Sequence, residues 1–205
     1  MSNAPCILFS VFCFLSVIFI QSCSDDGQPA DPVETTDLAE EAEHATQQAA
    51  FFENLSTLCG ETFEGEASYP DDESHPLVGT TLRTHISECD DSMIRIELYR
   101  DTDYWHGAWV IERRDEGLHL FHDHLGDVRT EEDLGDDDAH GYGGYAGEEG
   151  SATVQYFPAD EVTAEMLPEA STNVWMMEMD LEADRFIYYL ERHDEPRFRA
   201  ELSRI

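Results

Sequence analysis

Two histidines separated by one residue offer the most specific chemistry in this chain. His122 and His124 lie in a predicted strand, where alternation places both imidazoles on one face. A three-residue turn at 115–117, with glycine in the left-handed position, pairs Arg114 with Leu118 and brings His106 of the preceding strand to that face. Three imidazoles approach the ligand count of a catalytic zinc site, so one hypothesis is a metal-dependent hydrolase.

The same histidines admit other interpretations. The three-residue turn sets His122 opposite Val110 and His124 opposite Ala108, whereas a two-residue turn shifts the register by one and moves His106 to the other face. The face is otherwise apolar, so the imidazoles can line an ordinary half-buried surface. They can also form a cluster whose charge responds to pH.

Residues 125–150 form an acidic, glycine-rich segment that is too long and too irregular for a strand. Within it, Asp136, Asp137 and Asp138 supply carboxylates that Ca²⁺ accepts as ligands. Their spacing does not match the EF-hand pattern, so any calcium site is expected to be weak. The alternative is a solvated loop that binds no cation.

Templates for other enzyme classes are missing from the sequence. It contains no Gly-x-Ser-x-Gly, no His-Glu-x-x-His and no glycine-rich phosphate loop with lysine. Neither Cys59 nor Cys89 lies in a Cys-X-X-Cys motif. No catalytic residue is therefore predicted, and no cofactor beyond weak Ca²⁺ or Zn²⁺.

The charge balance excludes several kinds of partner. The 205 residues carry 46 Asp and Glu against 11 basic residues, a formal charge of −35, and every basic residue is arginine. Nucleic acid and anionic lipid both require a basic surface, so neither is an expected direct partner. An acidic chain without lysine is typical of halophiles, whose carboxylates retain water at high salt. The alternative is an acidic secreted protein with biased codon use.

The N-terminus has the composition of an export signal. Residues 1–22 contain no charged side chain, and the apolar run Cys6–Ile20 is shorter than the roughly 20 residues of a membrane span. It ends in Ile20-Gln21-Ser22-Cys23, which resembles the lipobox of bacterial lipoproteins. The resemblance implies that Cys23 is acylated and becomes the mature N-terminus. An uncleaved anchor is the alternative, because 1–5 lack a basic residue.

The lipoprotein resemblance also implies a location. Ser24 follows the cysteine where an aspartate tends to retain such proteins at the inner membrane, so the implied address is the outer membrane, facing the periplasm or the exterior. From the cysteine-bearing helix end to the C-terminus, the chain further resembles bacterial secreted proteins of unassigned function. That resemblance brings no catalytic residues.

The remaining cysteines predict one disulfide. The lipoprotein resemblance implies that Cys6 and Cys13 leave with the signal peptide and that Cys23 carries lipid. Cys59 and Cys89 are then the one remaining pair, and export places them in an oxidising compartment. The alternative is two buried free thiols.

Hydrophobic periodicity divides the mature chain into a tether at 23–36 and one domain at 37–205. A period near 3.6 predicts an amphipathic helix over 37–59. Its apolar face consists of Leu38, Ala42, Ala45, Ala49, Phe52, Leu55 and Cys59. A period of two then predicts strands at 80–88, 93–99, 104–113, 118–124, 152–157, 174–180, 185–192 and 197–203. A short helical turn is predicted at 162–167.

These elements predict a mainly β domain, an antiparallel barrel or sandwich of about eight strands with one N-terminal helix. The expected function is that of a cell-envelope lipoprotein, held to the membrane through an acyl anchor. Its body is expected to be a non-enzymatic binding or structural module, with the zinc hydrolase as the alternative.

Overall fold

The computed structural model describes residues 32–70, 74–101, 103–124 and 141–205, with side chains from residue 39 onward. The signal peptide, Cys23, most of the predicted tether and Asp136–Asp138 lie outside the described residues. The helices are α1 (Pro32–Ser56) and α2 (Glu161–Met166), with a short 3₁₀ turn at Pro168–Ala170. The strands are β1 (Thr62–Tyr69), β2 (Leu82–Cys89), β3 (Met93–Arg100), β4 (Tyr104–Arg114), β5 (Gly117–Asp123), β6 (Tyr142–Tyr145), β7 (Val154–Pro158), β8 (Asn173–Asp180), β9 (Arg185–Arg192) and β10 (Glu195–Arg204).

All ten strands form one antiparallel sheet in the order β6-β5-β4-β3-β2-β1-β10-β9-β8-β7. The sheet curls until its edges approach, and the Gly147 amide donates to the Tyr156 carbonyl across the seam at 2.8 Å. The mainly β, barrel-like architecture is as predicted, and the strand count is ten rather than about eight. The core fills the interior, with Trp109, Trp175 and Phe186 among its largest members.

The two strands that the sequence does not predict are β1 and β6. Strand β1 carries a single large buried apolar residue, Phe63, so it lacks the alternating signature of its neighbours. It is held instead by pairing with β2 on one side and β10 on the other. Strand β6 lies within the segment assigned to the acidic loop. Its glycines allow close approach, since a Cβ on Gly143 would lie 1.7 Å from the Leu120 carbonyl oxygen.

Helix α1 differs from its prediction at both ends. It begins at Pro32, inside the predicted tether, and ends at Ser56. Phe52 and Leu55 are buried, as the predicted apolar face requires, whereas Ala45 and Ala49 are exposed. The predicted face is therefore buried only at the C-terminal end of the helix, around Phe52 and Leu55. The turn before it contacts the body through a polar group, because the Gln48 side chain accepts a hydrogen bond from the Leu118 amide at 3.0 Å.

Antiparallel pairing gives the barrel two distinct ends. We call the end covered by α1, where β4 turns into β5, the helix end. The Asn54 side chain fixes α1 there by donating to the Ala152 carbonyl at 2.8 Å. The opposite end, reached by the finish of β5 and the start of β6, we call the histidine end.

The structure pairs Cys59 with Cys89, the pairing that the cysteine count predicts. The two Cα atoms lie 6.2 Å apart and the bond joins residues 30 positions apart. It ties the chain just after α1 to the final residue of β2 at the helix end. Among the described residues, no helix combines the length and the apolar composition needed to cross a membrane.

Candidate functional site

The β4–β5 hairpin that carries the histidines has a different register from the predicted one. Arg114 pairs with Gly117, which leaves only Asp115 and Glu116 in the turn, and His122 lies opposite Trp109 instead of Val110. Gly117 is therefore the first residue of β5, and Gln48 of α1 accepts a hydrogen bond from the next amide.

A β-bulge brings His106 to the inner face despite this shift. The register between β3 and β4 slips between Gly107 and Trp105, which skips His106. Trp105 and Ala108 consequently both lie beside Glu97 on the outer face, since the Trp105 indole donates to Glu97 and Ala108 pairs with it. His106 then points inward and is electrostatically coupled to His122 and His124.

The central feature of the histidine end is a contact between two imidazoles. The ring centroids of His122 and His124 lie 4.2 Å apart. His124 Nε2 and the Tyr142 hydroxyl are hydrogen-bonded at 2.8 Å. His122 is 8% exposed, and among the described residues neither of its ring nitrogens has a hydrogen-bond partner. Buried polar atoms are nearly always paired, so a ring with both nitrogens unpaired is unusual, although Trp109 Nε1 and Thr84 Oγ1 also lack a partner among the described residues.

Aromatic rings from distant strands surround this pair. The indole of Trp109 stacks on His122 with centroids 5.8 Å apart, and Tyr188 of β9 packs on Trp109 at 4.3 Å. Tyr142 of β6 stacks on Trp175 of β8 at 5.6 Å. The inner surface at the histidine end is therefore aromatic, with imidazole nitrogens and phenol hydroxyls as its polar groups.

Burial keeps these groups uncharged at neutral pH. Desolvation lowers the pKa of His122 well below its usual range, and it lowers the pKa of His124. Desolvation, reinforced by the charge of Arg100, lowers the pKa of His106 to about 4. Burial also raises the pKa of Tyr142 to about 12. At pH 7 the site offers hydrogen-bond donors and acceptors but no net charge from these four side chains.

The predicted zinc site does not assemble in the part of the chain that the structure describes. There, no group of three or more His, Cys, Asp or Glu side chains is placed to hold a metal ion. A Cβ on Gly107 would lie 3.3 Å from His122 Nε2, so the β4 backbone closes off that nitrogen. The calcium prediction at Asp136, Asp137 and Asp138 falls outside the described residues.

The side chain of the aspartate between the two histidines lies on the opposite face of β5. Asp123 is paired with Arg95 at 3.0 Å, and Arg95 also binds Glu97 at 2.6 Å. Asp123 is only 1% exposed, so this ion pair is buried on the outer surface of the sheet. The carboxylate is neutralised there and does not face the imidazoles.

A histidine–carboxylate pair elsewhere on β5 fixes α2 over the outside of the sheet. His119 Nε2 lies 3.1 Å from Asp160 Oδ2. Asp160 also caps α2 by accepting the Thr163 amide at 2.7 Å, and the Thr163 hydroxyl donates to the Gly143 carbonyl. These bonds attach α2 to β5 and β6, which is a structural role.

Sequence reasoning missed Tyr142 as a site residue. It placed Tyr142 in the acidic, glycine-rich segment 125–150. The available signal was the glycine pair flanked by tyrosines in Tyr142-Gly143-Gly144-Tyr145, since glycines allow a strand to approach its neighbours closely.

A search among family models, curated proteins and solved structures finds no match to this chain.

Proposed function

We propose that this protein is a cell-envelope lipoprotein, anchored through acylated Cys23, whose barrel binds a small ligand at the histidine end without catalysing a reaction. The ligand class is a small, neutral, ring-bearing molecule with at least one hydrogen-bonding group. Aromatic side chains suit a ring, and the unpaired Nδ1 of His122 suits a single polar contact.

The position of α1 supports a defined orientation on the membrane. The helix begins nine residues after Cys23, and a fully extended segment of that length reaches about 30 Å. Because α1 covers the helix end, an anchor attached to it lies nearer to that end. The histidine end then points away from the bilayer, where a ligand can reach it.

The observation that carries the binding proposal is the unpaired state of His122. Leaving a buried polar group unsatisfied costs about 1–3 kcal/mol, and its neighbours on the inner face are aromatic rings or imidazoles. A ligand that donates to or accepts from this ring removes that cost. We favour binding over catalysis because the interior groups are neutral and the nearby carboxylate, Asp123, is already paired with Arg95.

Indole is a suitable probe, because it is a ring with one N–H donor. The chain has three tryptophans, and so three indole N–H resonances in a ¹⁵N NMR spectrum. We expect added indole to shift the resonances of Trp109 and Trp175, which line the interior, and to leave that of Trp105 unmoved. Trp105 is the built-in control, since its indole is bonded to Glu97 outside the barrel.

The histidine contribution is measured by His122→Phe, which keeps a ring and removes both nitrogens. We expect indole affinity to fall about tenfold, the value of one hydrogen bond. The exposed His193→Gln should change nothing. The titration is run at pH 7.5 and at pH 5.5, and the absence of any shift of Trp109 or Trp175 at both pH values would refute the binding proposal.

A further inference from the structure

Residues 74–80, which precede β2, lie over the histidine end, and we call them the strap. Leu77 is buried in the core, and the His75 ring stacks on Phe198 with centroids 5.4 Å apart. Arg100 Nη1 donates to the Pro76 carbonyl at 3.0 Å, and the Thr80 hydroxyl donates to Asp101 at 2.6 Å. Leucine burial, ring stacking and polar bonds therefore all contribute to attaching the strap.

The strap is electrostatically linked to the imidazoles beneath it. His106 interacts unfavourably with the charges of Arg100, His124 and His75. Arg100 donates a hydrogen bond to the strap, and His75 is a residue of the strap. His75 Nδ1 accepts the Leu77 amide at 3.3 Å, a bond that requires an unprotonated nitrogen. Positive charge on the imidazoles would therefore act directly on the strap's own attachments.

We propose that the strap is an acid-released cover: protonation of the imidazoles at the histidine end displaces residues 74–80 and opens the aromatic interior. The idea that this opening admits a ligand rests on the proposed function. The release itself does not depend on it.

The cationic groups facing the cluster all oppose its protonation. Arg100 of β3 lies beside His106, and Arg192 at the end of β9 acts on Tyr142 of β6. The imidazoles also repel one another when charged, since His106 and His124 both act on His122. Each proton that enters the closed cluster therefore meets positive charge.

The described residues supply only weak compensation. Tyr142 and Tyr188 are buried phenols whose pKa values are raised, so they stay neutral. Asp123 attracts protons to His122 and His124, but it is committed to Arg95 on the outer face. Asp101 lies at the strap's far end, bonded to Thr80. Opening the strap brings water to the imidazoles and so reduces the free-energy cost of charging them.

The direction of the pH effect follows from linkage. A histidine whose pKa is lowered in the closed state favours the closed state fully above its open-state pKa of about 6.5. As pH falls below that value, the ratio of open to closed molecules rises about tenfold per pH unit for each such histidine. For His106 the rise continues down to about pH 4.

Amide hydrogen exchange on the lipid-anchored full chain, corrected for the intrinsic pH dependence, measures the opening. Between pH 7.5 and 5.0 we expect the protection of the Leu77 and Val78 amides to fall about thirtyfold or more, from one histidine over 1.5 pH units. The amides of Ile111 and Leu120, which lie towards the helix end, should keep their protection. Imidazole NMR should show His106 and His124 gaining protons over the same pH range.

Two variants separate the cluster from its surroundings. The double variant H106Q/H124Q should lose much less strap protection at pH 5.0 than the wild type, because only His122 of the cluster remains to take up a proton. His193→Gln, in the exposed β9–β10 turn at the same end, should behave as wild type. Arg100→Gln, which removes the bond to Pro76, should lower strap protection already at pH 7.5. If the double variant fails to fold, the wild-type exchange and imidazole titrations decide the question by themselves.

The outcomes distinguish this inference from the proposed function. Strap amides that stay protected at pH 5.0, or that lose protection together with Ile111 and Leu120, overturn the acid-released cover. If indole shifts Trp109 while the strap stays closed at pH 5.0, the cover is wrong and the binding proposal stands. If the strap opens but indole shifts neither interior tryptophan, the cover stands and the binding proposal is wrong.

Discussion

Gly144→Ala should destabilise the protein by about 3 kcal/mol or more, because the new methyl group would displace backbone where the barrel nearly closes. A Cβ on Gly144 would lie 1.7 Å from the Pro158 carbonyl oxygen and 3.1 Å from the Asp160 amide nitrogen. Both are main-chain atoms, so no side-chain rotation relieves the clash. Denaturant unfolding followed by tryptophan fluorescence measures the loss.

Gly147→Ala is the matched control, at the same seam and three residues away. Its Cβ would meet nothing closer than 3.7 Å, and its backbone does not require the left-handed conformation. We expect a change within about 0.5 kcal/mol. Equal stabilities for the two variants would mean that β6 does not approach the end of β7 as described.

Cys59→Ser should lower the free energy of unfolding by about 3–4 kcal/mol, since the bond to Cys89 closes a loop of 30 residues in the unfolded chain. Chemical denaturation under non-reducing conditions gives the value. The midpoint should move without loss of the native sheet, because the two residues join at the helix end and not within the core.

The control for the disulfide is that the destabilisations caused by the two cysteine substitutions should not add. Cys89→Ser and the double variant should both match Cys59→Ser, and dithiothreitol should bring the wild type to the same midpoint while leaving the double variant unchanged. A wild type that is insensitive to reductant and equal in stability to the variants would show that the bond does not form in solution.

Local periodicity was sufficient to predict most strands of the sheet. The eight predicted strands recur within a few residues of their expected bounds, because each alternates inward and outward side chains against a single core. Strand β1 escaped detection because two glutamates and a glycine occupy its middle and Phe63 is its one large buried apolar residue. Its position depends on two neighbours, one of which, β10, lies more than 130 residues away in the chain.

The helix shows a second limit of periodicity. Ala42, Ala45 and Ala49 continue the apolar spacing of Phe52 and Leu55, yet they are exposed. Alanine buries little area, so its position on a face does not decide whether that face finds a partner. Only the C-terminal end of α1, which carries bulky side chains, was therefore predictable as core.

The candidate site was half predictable. Strand alternation alone put His122 and His124 on one face, and their rings do touch. The partner of His124, Tyr142, comes from a strand that the sequence did not reveal. The inward position of His106 depends on a β-bulge, which is set by pairing between β3 and β4 and leaves no mark in a local pattern.

The central claim, a lipid-anchored envelope protein, is tested most directly by mass spectrometry of the N-terminal peptide from cells that make the protein. We expect a mature chain that begins at Cys23 and carries a diacylglyceryl group on its Sγ atom. The Cys23→Ala variant should lack the acyl group and leave the membrane fraction. An intact chain that still begins at Met1, with an unmodified Cys23 thiol, would contradict the account.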